Sequence, residues 1–246
     1  MTLTLNRPSA YNSFTRPMAT ALQQGLDTAS TDDSIRCVVI TGTGKAFCAG
    51  QDLKEVTADD APPLEDIVGG SYNVTIRKMR ALAKPVITAV NGVAAGAGAN
   101  IALAGDLCVA AEDAKFIQAF SKIGLIPDSG GTWMLPKLIG LQRATALAYL
   151  GTPVAAPEAA AMGMIHRSIP NGEFVAEVTA LAEKLASMPT RGLALTKQAF
   201  NRGFEQSMDA QLETEMELQA TASRTHDFGE GVSAFLEKRK PTFKGH

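Results

Sequence analysis

The sequence predicts an α/β fold, because apolar runs of strand length, closed by glycine turns, alternate with stretches of helical period. The runs are Cys37-Val38-Val39-Ile40-Thr41, Pro85-Val86-Ile87-Thr88-Ala89-Val90 and Leu107-Cys108-Val109-Ala110. None alternates between polar and apolar, so each belongs in a sheet covered on both faces, parallel or mixed. At 246 residues the chain is one domain or a domain with an appendage. A chain of this size buries about three-quarters of its unfolded surface, enough to fold without disulfides or metals.

Each element follows from a local pattern. Thr2-Leu3-Thr4-Leu5 has a period of two and marks a short strand, which Asn6-Arg7-Pro8-Ser9 turns. Met18, Leu22 and Leu26 recur at helical spacing after Pro17. The first buried strand ends at Gly42-Thr43-Gly44. Ile76, Met79, Leu82 and Ala83 then mark a helix, and Asn91-Gly92 closes the second strand. A helix over residues 97–104 precedes the third strand. Beyond about residue 140 the chain is alanine-rich and strand-poor, with amphipathic stretches near 142–150, 172–187, 190–205, 208–224 and 229–238. The β-β-α units are similar in kind but show no fixed-period repeat.

Composition narrows the function classes. Twenty-three basic residues against 25 acidic ones leave a net charge of −2, too balanced for a nucleic-acid coat. Hydrophobic residues at 46% and charged ones at 20% exclude wholesale disorder. Cys37, Cys48 and Cys108 form no paired framework and have no Cys-x-x-Cys or Cys/His spacing. Reduced thiols, no metal and a cytoplasmic setting are expected. The start of the chain lacks an apolar signal-peptide core. The most apolar stretch, residues 93–104, is broken by glycine and carries Asn100, so no membrane partner is expected.

Three segments carry candidate chemistry. Lys45-Ala46-Phe47-Cys48-Ala49-Gly50-Gln51-Asp52-Leu53 follows the first buried strand, where α/β sheets place ligands. Its small residues let a ligand approach the main chain, and an unpaired N–H such as that of Gln51 can face an oxygen anion. The same residues serve equally as a turn and a helix capped by Asp52. In Asn91-Gly92-Val93-Ala94-Ala95-Gly96-Ala97-Gly98-Ala99-Asn100, a strand runs into small residues that open a helix. Free N–H groups and the positive helix end meet there. Ile101 breaks a dinucleotide fingerprint, and Ala46 after Gly44-Lys45 breaks a phosphate loop. Tight helix packing is the other use of such residues.

The third segment is Gly124-Leu125-Ile126-Pro127-Asp128-Ser129-Gly130-Gly131-Thr132-Trp133. Asp128 or Ser129 can cap the helix after Gly130. Alternatively, Leu125, Ile126, Trp133 and Met134 make an apolar pocket that raises the Asp128 carboxyl towards a useful base. His166 reads as a strand-end residue without a triad motif, and His226 and His246 have no metal-ligand spacing. Lys238, Arg239, Lys240 and Lys244 form a basic tail.

In order and spacing, these segments resemble the crotonase (enoyl-CoA hydratase/isomerase) superfamily. The resemblance runs from Leu5-Asn6-Arg7-Pro8 to Gly231-Val232-Ser233-Ala234-Phe235-Leu236-Glu237-Lys238-Arg239. It implies a spiral core of β-β-α units over residues 1–189 and a helical trimerisation region over 190–246, in homotrimers or dimers of trimers. It also implies an acyl-CoA thioester as substrate, without a separate cofactor, its carbonyl held between the N–H groups of Gln51 and Ala97. Ala49, Gly50, Asp52, Leu53 and Lys54 would border the CoA moiety. Phe235 and Lys238 match positions that reach CoA across a subunit contact.

The departures from the family pattern carry information. The family's hydratases use two glutamates, and the matching positions here are Asn100 and Phe120; those hydratases have glycine in place of Asp128. Residues 116–124 and 127–133 are similar to the family's ring 1,2-epoxyphenylacetyl-CoA isomerases of phenylacetate breakdown, in which the matching aspartate is the acid/base. One carboxylate suits proton shuttling better than hydration. The expected function is therefore an acyl-CoA isomerase that opens a ring epoxide to an oxepin, or shifts a 3-enoyl-CoA to a 2-enoyl-CoA as in fatty acid metabolism. The alternatives are a 2-enoyl-CoA hydratase, which needs Glu55 or Glu65 in the site, and a non-catalytic acyl-CoA-binding protein.

Overall fold

The computed structural model describes residues 1–246. Five strands make a wholly parallel sheet in the order β1 (Thr2–Leu5), β2 (Val38–Gly42), β4 (Val86–Val90), β6 (Leu107–Ala111) and β9 (Arg167–Ile169). A second sheet runs β3 (Ala46–Cys48), β5 (Val93–Ala95), β7 (Lys115–Ile117) and β8 (Val154–Ala155), with only the last pair antiparallel. Each turn of the chain gives one strand to each sheet, β2 then β3, β4 then β5, β6 then β7, before helices intervene. Three such turns side by side form the β-β-α spiral expected above.

Strand β2 shows why these runs are apolar without alternation. Val38 and Ile40 enter a core of 36 buried residues shared by both sheets and the helices around them. Val39 enters a second core of nine on the opposite face, with Ile87, Val109 and Ile169. Helix α9 (Phe174–Ser187) covers that face with Phe174 and Val178.

The helices follow their patterns, except that the one marked by Ile76 and Met79 ends at Ala81, before Leu82 and Ala83. Helix α1 (Arg16–Thr31) starts at Thr15, whose side chain accepts the Met18 N–H, and buries Leu22 and Leu26. After β3 come α2 (Leu53–Val56), α3 (Leu64–Ile67) and α4 (Val74–Ala81). Helix α5 (Ala97–Leu103) is buried along its whole length. It is followed by α6 (Gly131–Ile139), α7 (Leu141–Leu150) and α8 (Ala156–Ala161). Beyond α9 lie α10 (Thr190–Gly203), α11 (Met208–Ala222) and α12 (His226–Leu236). Lys197 anchors α10 to the core, its Nζ donating to Met79 O and to Asp106 Oδ2, both at 2.8 Å.

The structure adds what the apolar runs do not reveal. β3, β5 and β7 have three residues each, too short to show a period, and they build the second sheet. The strand-poor region past residue 140 still supplies β8 and β9, and the His166 N–H donates to Cys108 O at 2.8 Å where β9 begins. All three cysteines are buried and unpaired. No helix is long and apolar enough to cross a membrane.

Candidate active site

Two main-chain turns meet where β3 and β5 end. After β3, Gly50 takes φ +92°, and its carbonyl accepts the Phe14 N–H at 2.7 Å while the Asp52 N–H donates to Phe14 O at 3.0 Å. This one-residue parallel bridge turns the intervening Gln51 N–H away from Phe14, where it donates to no acceptor in the protein. After β5, the Gly96 N–H donates to Ile117 O at 2.8 Å, and φ +53° at Gly96 swings the chain into α5. Ala97 is the first residue of α5, so its N–H has no intrahelical acceptor. The turns touch: a Cβ on Gly50 would stand 2.9 Å from Ala95 O and 3.7 Å from Ala97 N. At Gly98, a Cβ would lie 2.2 Å from Cys48 O. Packing this close holds residues 50–51 and 95–97 together.

The Gln51 side chain is pinned separately. Tyr72 Oη donates to Gln51 Oε1 at 2.6 Å, and Gln51 Nε2 donates to Glu55 Oε2 at 3.0 Å. Arg16 holds Glu55 in turn, its N–H at 3.1 Å and its Nε at 3.3 Å from Glu55 Oε1. Tyr72 belongs to a π-helical segment, Val68–Asn73, and stacks on Phe14 with ring centroids 5.3 Å apart. Burial pushes its phenol above the ordinary range, and the nearby charges of Asp128 and Glu55 push the same way. Sequence patterns missed Tyr72. Gly69-Gly70 before it breaks the helical period, so no signal pointed to it.

Asp128 lies on the loop entering α6. Burial pushes its carboxyl above the usual carboxylate range, opposed by the Ser129 hydroxyl, which donates to Oδ1 at 2.9 Å. Its carbonyl accepts Asn100 Nδ2 at 2.9 Å and the Gly131 N–H at 2.8 Å. Ser129 at φ +51° and Gly130 at φ +76° are both left-handed and turn the loop sharply; glycine takes that angle freely, so the strain falls on Ser129. Gly130 occupies the cap position of α6 with no side-chain cap, so the capping role expected of Asp128 or Ser129 is not filled.

The apolar pocket expected around Asp128 needs correcting. Ile126 is 78% exposed and Leu125 42%, because the loop carries them outward before Ser129 and Gly130 turn it. Trp133 faces α10, edge-on to Phe204 with centroids 5.1 Å apart and with Lys137 Nζ 3.3 Å from its ring centroid. Of the four expected residues only Met134 lies over the loop: its Cε and Ile76 Cγ2 are 3.2 and 3.7 Å from where a Gly130 Cβ would stand. Ile76, far away in sequence, shares that place over the loop with Met134.

The remaining candidates divide into two groups. Asp52 caps α2 by accepting the Lys54 N–H at 3.0 Å and pairs with Arg7 at 2.7 Å; the Arg7 hydrogen bond holds its carboxyl below the usual range. Ala49, Leu53 and Lys54 flank this turn with exposed side chains. Phe235 and Lys238 stand apart at the end of α12 and are both exposed. The tail beyond α12 is tied to Arg36, whose Nη1 donates to Phe243 O at 2.8 Å just before β2 begins. The Gln51 turn lies past the other end of that strand. Glu65 is exposed on α3, away from these contacts. No cluster of three or more His, Cys, Asp or Glu residues could hold a metal ion.

A family model described as enoyl-CoA hydratase/isomerase matches residues 1–246. A 1,2-epoxyphenylacetyl-CoA isomerase of Escherichia coli K12 is 49% identical over 248 residues, covering 100% of this chain and 95% of that protein. A Rhodobacter capsulatus protein named probable enoyl-CoA hydratase is 42% identical over 243 residues, covering 99% of this chain and 93% of its own. The crystal structure of an enoyl-CoA hydratase from Bacillus anthracis superposes with a TM-score of 0.95 at 34% identity, covering 100% of this chain and 95% of that one.

Proposed function

We propose that this chain, which belongs to the enoyl-CoA hydratase/isomerase family, is an acyl-CoA isomerase working with the single carboxylate of Asp128. The observation that carries the reading is that this acid is raised and alone. On the family resemblance, Asn100 and Phe120 match the positions of the two hydratase glutamates, and neither moves a proton at neutral pH. Glu55 is tied to Arg16 and Gln51, and Glu65 faces solvent. Asp128 is the carboxyl that burial pushes up towards a working base.

In this mechanism the N–H groups of Gln51 and Ala97 hold the thioester oxygen, each donor contributing about 3 kcal/mol to the enolate-like transition state. Ala49, Gly50, Asp52, Leu53 and Lys54 border the CoA moiety. With a 3-enoyl-CoA, Asp128 takes a proton from C2, the electron pair rests on the thioester oxygen, and the proton returns at C4 to leave the 2-enoyl product. With a ring 1,2-epoxyphenylacetyl-CoA, the same groups assist isomerisation to the oxepin, in which the bond between the two epoxide carbons breaks, both C–O bonds are kept and the ring expands to seven members. The 49% identity to an epoxyphenylacetyl-CoA isomerase favours the ring epoxide.

Homotrimers, or pairs of them, belong to the same reading. Met208, Leu212 and Met216 recur every four residues on α11 and are exposed, as are Phe200 on α10 and Phe235 on α12. Such a face suits burial against other copies of the chain. It would bring Phe235 and Lys238 of one copy towards the CoA of another.

Asp128→Asn is the deciding variant. Turnover of a 3-enoyl-CoA or ring epoxide is expected to fall at least about 100-fold, with CoA-ester affinity within about threefold. Near-parental turnover would remove Asp128 from the mechanism. Hydration of crotonyl-CoA faster than bond migration would replace the isomerase with a hydratase.

A further inference from the structure

We infer that Asn100 is a positioning residue for the proton transfer, holding the main chain of Asp128 in place, with Gln118 in turn fixing Asn100. The inference rests on Asp128 being the acid/base proposed above. Asn100 is fully buried on α5, three residues after Ala97. Its Nδ2 donates to Asp128 O at 2.9 Å, and its Oδ1 accepts Gln118 Nε2 at 2.8 Å. One short helix therefore carries both an oxyanion donor and the brace on the acid, which ties the spacing of the two groups to a rigid element.

Burial alone does not require this arrangement. The Asp128 carbonyl already accepts the Gly131 N–H at 2.8 Å, so its hydrogen-bonding need is met without Asn100. An apolar side chain of the same shape would fill the space with no desolvated amide. Instead the chain buries two amides in series, and it leaves Gln118 Oε1 without a partner to do so. It also keeps glycine at 131, where a Cβ would stand 2.1 Å from Asn100 Nδ2 and 2.5 Å from its Cγ. Room, partner and orientation all favour the bond to Asp128.

The test is Asn100→Leu, which keeps the volume and removes both polar ends, assayed beside Asp128→Asn, Gly131→Ala and Gln118→Met. For Asn100→Leu, kcat is expected to fall about 10- to 100-fold with KM within about threefold. The acid limb of its pH profile moves to lower pH, because a loosened loop lets water reach the carboxyl. Gly131→Ala displaces the Asn100 amide while keeping Asn100, and it shows the same kcat loss; Gln118→Met shows a smaller one. A purely structural role would move only the unfolding midpoint. Full kcat with an unmoved acid limb in folded Asn100→Leu protein overturns the inference, as does a loss confined to KM. Should that variant fail to fold, Gly131→Ala and Gln118→Met decide by the same two readouts. An active Asp128→Asn enzyme overturns the role of Asp128 itself, and with it any brace on Asp128. An inactive one beside an unaffected Asn100→Leu overturns only the brace.

Discussion

The two sides of the proposed cleft are built from different parts of the chain. On the amide side the working groups are main-chain N–H groups, and their placement depends on glycines at 50 and 98 that let strands and helix touch and on the positive φ of Gly96. On the carboxylate side the working group is one side chain, whose behaviour depends on the neighbours that bury it and bond to it. Packing errors should therefore break the first side, and chemical errors the second. A substitution that removes a functional group but fits well would spare the amides and ruin the acid.

Gly98→Ala challenges the amide side hardest. Its Cβ would meet Cys48 O at 2.2 Å and Cys48 C at 2.8 Å, main-chain atoms that cannot rotate away. Overpacking of this kind costs about 1–3 kcal/mol, read as a lower midpoint in urea. Because α5 begins with the Ala97 N–H, a shift of about 1 Å is also expected to cost roughly 100-fold in turnover. Full stability together with full turnover would show that β3 and α5 can part freely, and the contrast between the two sides would lose its structural basis.

Asp128→Asn sharpens the contrast from the other side, because it should lose turnover while gaining stability. A buried carboxyl whose folded pKa is raised is favoured by folding when protonated. Its contribution is fully present below the unfolded value of about 4 and is lost as pH rises through the raised folded value. At neutral pH the ionised side chain therefore burdens the fold, and asparagine removes that burden. The melting temperature of Asp128→Asn should exceed that of the parent at pH 7, and the difference should vanish below about pH 4. An equal or lower melting temperature at pH 7 would mean that Asp128 is not held in a desolvating place.

Much of the frame was legible because β2, β4 and β6 have five residues each, long enough for a continuous apolar run to register. β3, β5 and β7 exist only through pairing with one another, a tertiary fact that three residues cannot announce. Gly50 and Gly96 were legible as small residues that leave the main chain open, but the left-handed angles that turn the chain there, which glycine takes freely, show only in the structure. Asp128 was legible as a candidate, but its surroundings were not. Neighbours in sequence supplied the expected pocket, whereas a residue distant in sequence, Ile76, packs beside Met134 at Gly130 in the same loop. Asn100 could be read only as a missing glutamate. Its bond to the Asp128 carbonyl arises where α5 passes the loop before α6.

Ser129→Ala makes a milder change on the acid side. The hydroxyl hydrogen bond stabilises the ionised carboxylate, so removing it should raise the Asp128 pKa further. The acid limb of the kcat/KM profile then moves to higher pH, and activity on that limb falls several-fold, roughly as expected for losing one charge-assisted hydrogen bond. An unmoved limb would assign it to another group.

Gln51→Ala should have the smallest effect, and it is the most direct check on the amide side. It removes the hydrogen bonds to Tyr72 and Glu55 but leaves the bridge to Phe14, made by the neighbours Gly50 and Asp52, intact. The Gln51 N–H therefore keeps its direction, and the loss in kcat/KM should be about two- to tenfold, the scale of ordinary hydrogen bonds that merely steady a loop. A loss of about 100-fold, the scale of a removed oxyanion donor, would mean that the Gln51 side chain itself meets the substrate. The two sides of the cleft would then no longer differ in kind.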